Sequence, residues 1–126
     1  MIVLDSSALL AVILEEPGAD RIKEALAQSV ISAASLAEIL TKVVRRGLDL
    51  EGAYARIGSF GLDVHPVEEE HALLAAEIYS KAPPALDLSL ADRLCIALAM
   101  TLQCELLTSD RGMTQYDAGI PITPFR

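Results

Sequence analysis

Four uncharged residues, Met1-Ile-Val-Leu4, run directly into Asp5-Ser6-Ser7. An apolar run this short, closed at once by an acid and two small hydroxyls, predicts a fully buried strand that ends in an acidic turn. In open α/β sheets, ligands bind in the crevice outside the carboxyl ends of the strands, so Asp5 is a site candidate by position. Aspartate ahead of Ser-Ala-Leu-Leu is also ordinary helix N-cap chemistry, and position alone does not separate the two roles.

The rest of the chain alternates in the same manner. Ser7 to Leu14 reads as a short apolar helix closed by Glu15-Glu16-Pro17-Gly18. Ala19 to Gln28 sets Ile22, Ala25 and Leu26 at helical spacing, with Asp20, Arg21, Lys23 and Glu24 on the wet side. Val30 to Ala33 is a second strand. Ser35 to Arg46 is the clearest amphipathic helix: Leu36, Ile39, Leu40, Val43 and Val44 form one stripe and Gly47 suits the C-cap. Leu50 to Ser59 is a further helix, and Leu62 to His65 alternates like a strand up to Pro66. Glu68-Glu69-Glu70 opens a helix to about Lys81, its acids favoured there by the helix dipole. After the Pro83-Pro84 loop, Ser89 starts a helix apolar almost all round, buried between layers or at a subunit contact. Glu105 to Thr108 is a fourth strand, Arg111 to Asp117 a turn or short helix, and Ile120 to Phe125 a Pro-flanked edge strand.

Strands alternating with helices predict an α/β fold, a three-layer α/β/α sandwich around a small, mainly parallel sheet. A length of 126 residues suits one domain spanning 1–126. Hydrophobic residues make up 52% and aromatics 4%, so the core is built from Ala, Leu, Ile and Val. No run approaches the roughly 20 apolar residues of a membrane span, and no basic segment precedes a secretory hydrophobic region, so a cytoplasmic protein without membrane contact is expected. Cys95 and Cys104 fall in one predicted helix, about 13 Å apart along its axis, too far to bridge and outside any Cys-x-x-Cys pair. Both read as core packing, and His65 and His71 belong to no second-ligand pattern. The net charge of −8 disfavours a nucleic-acid partner unless clustered acids hold divalent cations.

Asp5 and Asp110 stand in equivalent places, each directly after a buried strand, and would open on one sheet edge. Glu38 and Asp92 each lie three residues after a serine, Ser35 and Ser89, which is capping-box spacing. Glu38 can also pair with Lys42 at i,i+4. Asp92 is nearly the only acid on its helix. Four carboxylates with no convergent His or Cys suit Mg²⁺ or Mn²⁺, which prefer oxygen ligands. Such an ion polarises a phosphoryl oxygen and lowers the pKa of a bound water.

In order and spacing, Ile2-Val-Leu-Asp5-Ser-Ser7-Ala-Leu-Leu, Ser35-Leu-Ala-Glu38, Leu88-Ser-Leu-Ala-Asp92-Arg-Leu-Cys-Ile-Ala-Leu-Ala99 and Leu107-Thr-Ser-Asp110-Arg111 resemble the PIN-domain ribonucleases, and among them the VapC-type toxins of type II toxin–antitoxin pairs. The resemblance spans nearly the whole chain. It implies a Mg²⁺- or Mn²⁺-dependent endoribonuclease, commonly a homodimer, held inactive by a small cognate antitoxin. Carried over by position, it assigns Asp5, Glu38, Asp92 and Asp110 to the acidic metal site as catalytic residues, with Ser7 in a supporting role. Asp87, one turn from Asp92, reads as loop.

The RNA contacts are less legible. Lys42, Arg45 and Arg46 follow Glu38 along one polar face, either to meet phosphates or as a solvated helix end favoured by the dipole. Arg93 and Arg111 adjoin proposed metal acids and are candidates to orient them or touch a phosphate. No aromatic row suggests base stacking.

Two other acidic α/β pockets fit poorly. A haloacid-dehalogenase-type phosphatase wants a second Asp where Ser7 stands, and a receiver domain wants a Lys near the C-terminus, whereas Lys81 is the last lysine. A non-catalytic PIN-like binding module, acting through its partner or dimer surface, is the alternative; pooling four acids without a cation argues against it. The helix from Ser89 and exposed parts of the first two helices are expected to supply that surface.

Overall fold

The computed structural model describes all 126 residues. Five strands, β1 (Ile2–Leu4), β2 (Ser29–Ser32), β3 (Asp63–His65), β4 (Glu105–Thr108) and β5 (Ile122–Pro124), form one sheet in the order β3-β2-β1-β4-β5. Every neighbouring pair is parallel, as the alternation predicts. Seven α-helices flank the sheet: α1 (Ser6–Ile13), α2 (Ala19–Ala25), α3 (Ala33–Arg45), α4 (Leu50–Gly58), α5 (Glu69–Lys81), α6 (Leu90–Leu102) and α7 (Arg111–Thr114).

Successive strand residues point to opposite faces, and the two cores follow from that period. Leu4, Ile31 and Leu107 enter one core with α1, Ile22 of α2, Ile39 and Val43 of α3 and Ile57 of α4. Val3, Val30 and Leu106 enter the other, with Ile78 of α5, Cys95 to Ala99 of α6 and Met113 of α7. Chain direction explains the division. The chain steps outward from β1 to β2 to β3 and then returns to β4 on the other side of β1. Because crossovers keep one handedness, reversing the direction of travel moves the helices to the opposite face. The reversal makes β1 and β4, sequence-distant neighbours, flank the switch point where doubly wound sheets bind ligands.

Three local expectations are corrected. Helix α3 starts two residues earlier than its apolar stripe suggests, with Ser32 as N-cap accepting from Ala34 N at 3.1 Å. Ser35 is therefore a buried residue within α3, and Glu38 is not the capping-box partner of Ser35. Cys104 lies outside α6, which ends at Leu102 when Gln103 turns into the left-handed region at φ 52°. Both cysteines are free. The apolar helix α6 buries Leu94 to Ala99 within this chain, between the sheet and its neighbours α5 and α3, so it offers no continuous outer apolar face. α1 is buried likewise, and large exposed apolar side chains stand instead at Val44, Leu48, Leu50 and Tyr54 around the α3–α4 turn and at Leu73 and Tyr79 on α5.

Candidate metal centre

Asp5 ends β1 and caps α1 by backbone geometry, with φ −74° and ψ 162°, but its side chain makes no capping bond. Its carboxylate turns instead toward the switch point. Ser7 Oγ and Thr108 Oγ1 both donate to Asp5 Oδ2 at 2.9 Å, and Asp5 is 3% exposed. Ser7 Oγ in turn accepts from Ser109 N at 3.0 Å, and Thr108 Oγ1 from Asp110 N at 3.0 Å. The ends of β1 and β4 are thus tied together through hydroxyls that also orient the acid.

Glu38 comes from the second turn of α3, where its side chain crosses to accept from Ser6 Oγ. Asp92 sits in the first turn of α6 in the expected capping box: Asp92 N donates to Ser89 Oγ at 3.1 Å, and Ser89 N donates to Asp92 Oδ2 at 2.9 Å. Asp5, Glu38 and Asp92 each bring one carboxylate oxygen into a group whose members lie within 4.8 Å of one another. Asp110 stands outside this group. It caps α7, where Gly112 N donates to its Oδ1 at 2.8 Å.

Pooling acids has an electrostatic cost. Burial pushes the Asp5 carboxyl above the ordinary aspartate range, against the hydrogen bonds from Ser7 and Thr108, and the charge of Glu38 adds to the rise. Burial pushes Asp92 up to about 6, against the bonds from Ser89, and the charges of Asp5 and Asp110 push the same way. Asp110 therefore acts on the group through its field although it lies beyond the shared radius. A donor set of three carboxylates with no His or Cys fits a hard divalent cation, whose charge would offset the repulsion.

Sequence reasoning missed Ser6 and Thr108. Position in the motif points to Ser7 alone, yet the two hydroxyls divide the work, Ser6 donating to Glu38 and Ser7 to Asp5. The signal for Thr108 was present: Thr108-Ser-Asp110 closes β4 as Asp5-Ser-Ser7 closes β1, and a residue paired beside the end of β1 is within reach of Asp5. Among the basic residues, Arg45, Arg46 and Arg111 are exposed, and Arg111 donates to the Arg126 carbonyl at 2.9 Å. Asp87 is exposed loop, as expected, with φ 51°.

A doubly wound parallel sheet with three acids gathered at its switch point places the chain among α/β proteins whose carboxylate donors could hold a cation. Among these, the PIN domain family matches residues 2–119, and the chain belongs to that family. Its fold is shared with a toxin–antitoxin complex from Klebsiella pneumoniae, at a TM-score of 0.76 and 16% identity over 98% of this chain and 97% of that one. DNA-bound VapBC from Salmonella typhimurium superposes at a TM-score of 0.75 with 17% identity, covering 99% of this chain and 98% of the other. FitAcB from Neisseria gonorrhoeae reaches a TM-score of 0.71 at 21% identity, covering 100% and 97%. No curated protein sequence matches the chain significantly.

Proposed function

We propose that this protein is a Mg²⁺- or Mn²⁺-dependent endoribonuclease acting as the toxin of a toxin–antitoxin pair. The observation that carries the reading is the convergence of Asp5, Glu38 and Asp92 to within 4.8 Å at the end of a PIN-family sheet. Asp5, Glu38 and Asp92 are the residues that would hold the ion, with Asp110 supplying further negative charge beside them. When bound, the cation polarises a phosphoryl oxygen and makes water a better nucleophile at neutral pH.

The chain's own contribution is to keep the oxygens fixed and to oppose the protonation that burial favours. Ser7 and Thr108 pin Asp5 Oδ2, Ser89 pins Asp92, and Ser6 orients Glu38, so little reorganisation is left for binding. Their donated hydrogen bonds favour the carboxylate forms that burial opposes.

Toxin–antitoxin, VapBC and FitAcB assemblies among the structural relatives support a protein antitoxin as partner; an RNA substrate and a homodimeric working unit are part of what we propose. The α3–α4 turn, with Val44, Leu48, Leu50 and Tyr54 exposed, is the apolar surface on offer to a partner. No helix is long and apolar enough to cross a membrane, and two free thiols suit a reducing cytoplasm.

The test is cleavage of total RNA and tRNA with Mg²⁺, with Mn²⁺ and with chelator, comparing the parent chain with Asp5→Asn and Asp92→Asn. Metal-dependent cleavage that both substitutions abolish is the expected result. Equal cleavage by all three proteins removes the assigned site. Metal binding without cleavage of any RNA leaves the non-catalytic module as the reading.

A further inference from the structure

A second cleft, lined in part by Arg93, lies beside the α6 N-terminus. It encloses about 390 Å³ between the end of α5 and the Pro83–Leu88 connection, and Arg93, Tyr79, Ser80 and Asp87 supply its polar lining. Consecutive helix residues point about 100° apart, so Asp92 faces the metal centre while Arg93, next in sequence, reaches α5. There Arg93 donates from Nη1 to the Ala75 carbonyl at 2.9 Å, and its guanidinium lies 5.1 Å above the centre of the Tyr79 ring.

Arg93 is unlike the other cations of the chain. In a protein with 18 acidic and 10 basic side chains, it is partly buried and paired with no carboxylate, as Lys42 is too, but it alone has a buried nitrogen without a partner. Its Nε is the one buried side-chain nitrogen or oxygen that no acceptor in the chain meets. Desolvating a guanidinium without a counter-charge is costly, and so is a buried donor left unmet. The carbonyl bond and the ring hold that uncompensated charge at the cleft wall. Tyr79 is 72% exposed, so with Arg93 over one face it keeps open aromatic surface.

We propose that this cleft takes one nucleotide of an RNA strand, its phosphate on Arg93 and its base against the open face of Tyr79. With Nη1 on the Ala75 carbonyl and Nε buried, Nη2 is the guanidinium nitrogen left to donate to a phosphate, and an exposed aromatic ring stacks any base without reading its sequence. An acidic peptide would use the arginine but gain nothing specific from the ring, so the pair together favours nucleic acid. The ligand class rests on the nuclease reading; the anion subsite rests on the cleft alone.

The experiment measures binding of a fluorescent five-nucleotide single-stranded RNA to the full chain in EDTA, across a salt series. Arg93→Gln should weaken binding about tenfold or more and lower the salt slope by about 0.7, the value for one phosphate contact on a single strand. Tyr79→Ala should weaken it roughly 5- to 150-fold, as expected for 1–3 kcal/mol of stacking, with the slope unchanged, while Tyr79→Phe binds like the parent. Tyr79 is exposed, so its variants keep the fold even if Arg93→Gln does not. Unchanged affinity in the Tyr79→Ala chain and in a folded Arg93→Gln chain overturns the proposal, as does an acidic peptide that displaces the RNA and depends equally on both residues. Metal-dependent cleavage is scored separately: its absence with Arg93- and Tyr79-dependent binding intact refutes the nuclease reading and leaves the subsite standing.

Discussion

Thr108 Oγ1 donates to Asp5 Oδ2 at 2.9 Å across a sequence separation of 103 residues. The same oxygen accepts from Asp110 N at 3.0 Å, so one fully buried hydroxyl joins the last residue of β4 to the acid after β1 and to the acid after itself. The β1–β4 pairing makes this possible, because Leu4 and Leu107 lie side by side at the switch point.

Replacing Thr108 by Val keeps the shape and removes that hydroxyl. Asp110 N then loses its acceptor and Asp5 one of the donors that stabilise its charge, so the metal-free chain should lose roughly 1–3 kcal/mol. Mn²⁺ affinity should fall about 10- to 100-fold, as for other groups that support a ligand from behind. Urea unfolding and calorimetric Mn²⁺ titration give the two readouts; unchanged values in both would mean that Thr108 only fills space.

The raised proton affinities of Asp5 and Asp92 make a pH prediction. A carboxyl whose folded pKa exceeds its unfolded one contributes stability that is fully present below the unfolded value and is lost as pH rises through the folded value. For Asp92 the window runs from 3.8 to about 6. Asp92→Asn keeps an oxygen able to accept from Ser89 N and removes the charge. The variant, metal-free, should therefore melt with the parent near pH 3.5 and above it at pH 7, the gap opening between. Saturating Mg²⁺ should close the gap by stabilising the parent alone. Parallel melting curves at all pH values would show that Asp92 carries no excess charge energy.

Backbone-level features were legible because they follow from periodicity. The buried runs at Ile2–Leu4 and Glu105–Thr108 and the helix after Ser89 declared themselves by composition, and their alternation dictated a parallel sheet. The acids were legible as a set because three of them follow strand ends or caps. What stayed hidden was decided by tertiary packing. Ser32 rather than Ser35 caps α3, since the β2 strand stops at Ser32 and its hydroxyl meets Ala34 N first. The largely apolar α6 could have faced a partner or an interior, and the placement of α5 over it decides for the interior, so that exposed apolar side chains cluster instead at Val44, Leu48, Leu50 and Tyr54 and on α5 at Leu73 and Tyr79.

Ser89 serves two ends at once, capping α6 and clamping Asp92. Ser89→Ala should cost about 0.5–2 kcal/mol of stability through the lost cap. Because Asp92 N then loses its acceptor and the first turn frays, Mn²⁺ affinity should fall too, and Ser89→Thr should restore both. A loss of stability with affinity intact would show that the reciprocal bond from Ser89 N alone suffices to hold Asp92.

Asp110 separates close ligands from a distant charge. It lies outside the group of three, and its Oδ1 is already engaged by Gly112 N at 2.8 Å. Asp110→Asn preserves that acceptor, so α7 should form and the parent's melting temperature should be kept within a few degrees. The neighbouring negative charge disappears, which should lower the proton affinity of Asp92 and bring the upper end of its pH window down. Mn²⁺ should still bind, within about tenfold of the parent, whereas Asp5→Asn, Glu38→Gln and Asp92→Asn each remove the negative charge from a ligand oxygen and should lose binding by far more. Calorimetric titration of the four variants decides the matter: if Asp110→Asn loses Mn²⁺ as completely as Asp5→Asn does, Asp110 swings in as a ligand and the centre is built from four acids, not three.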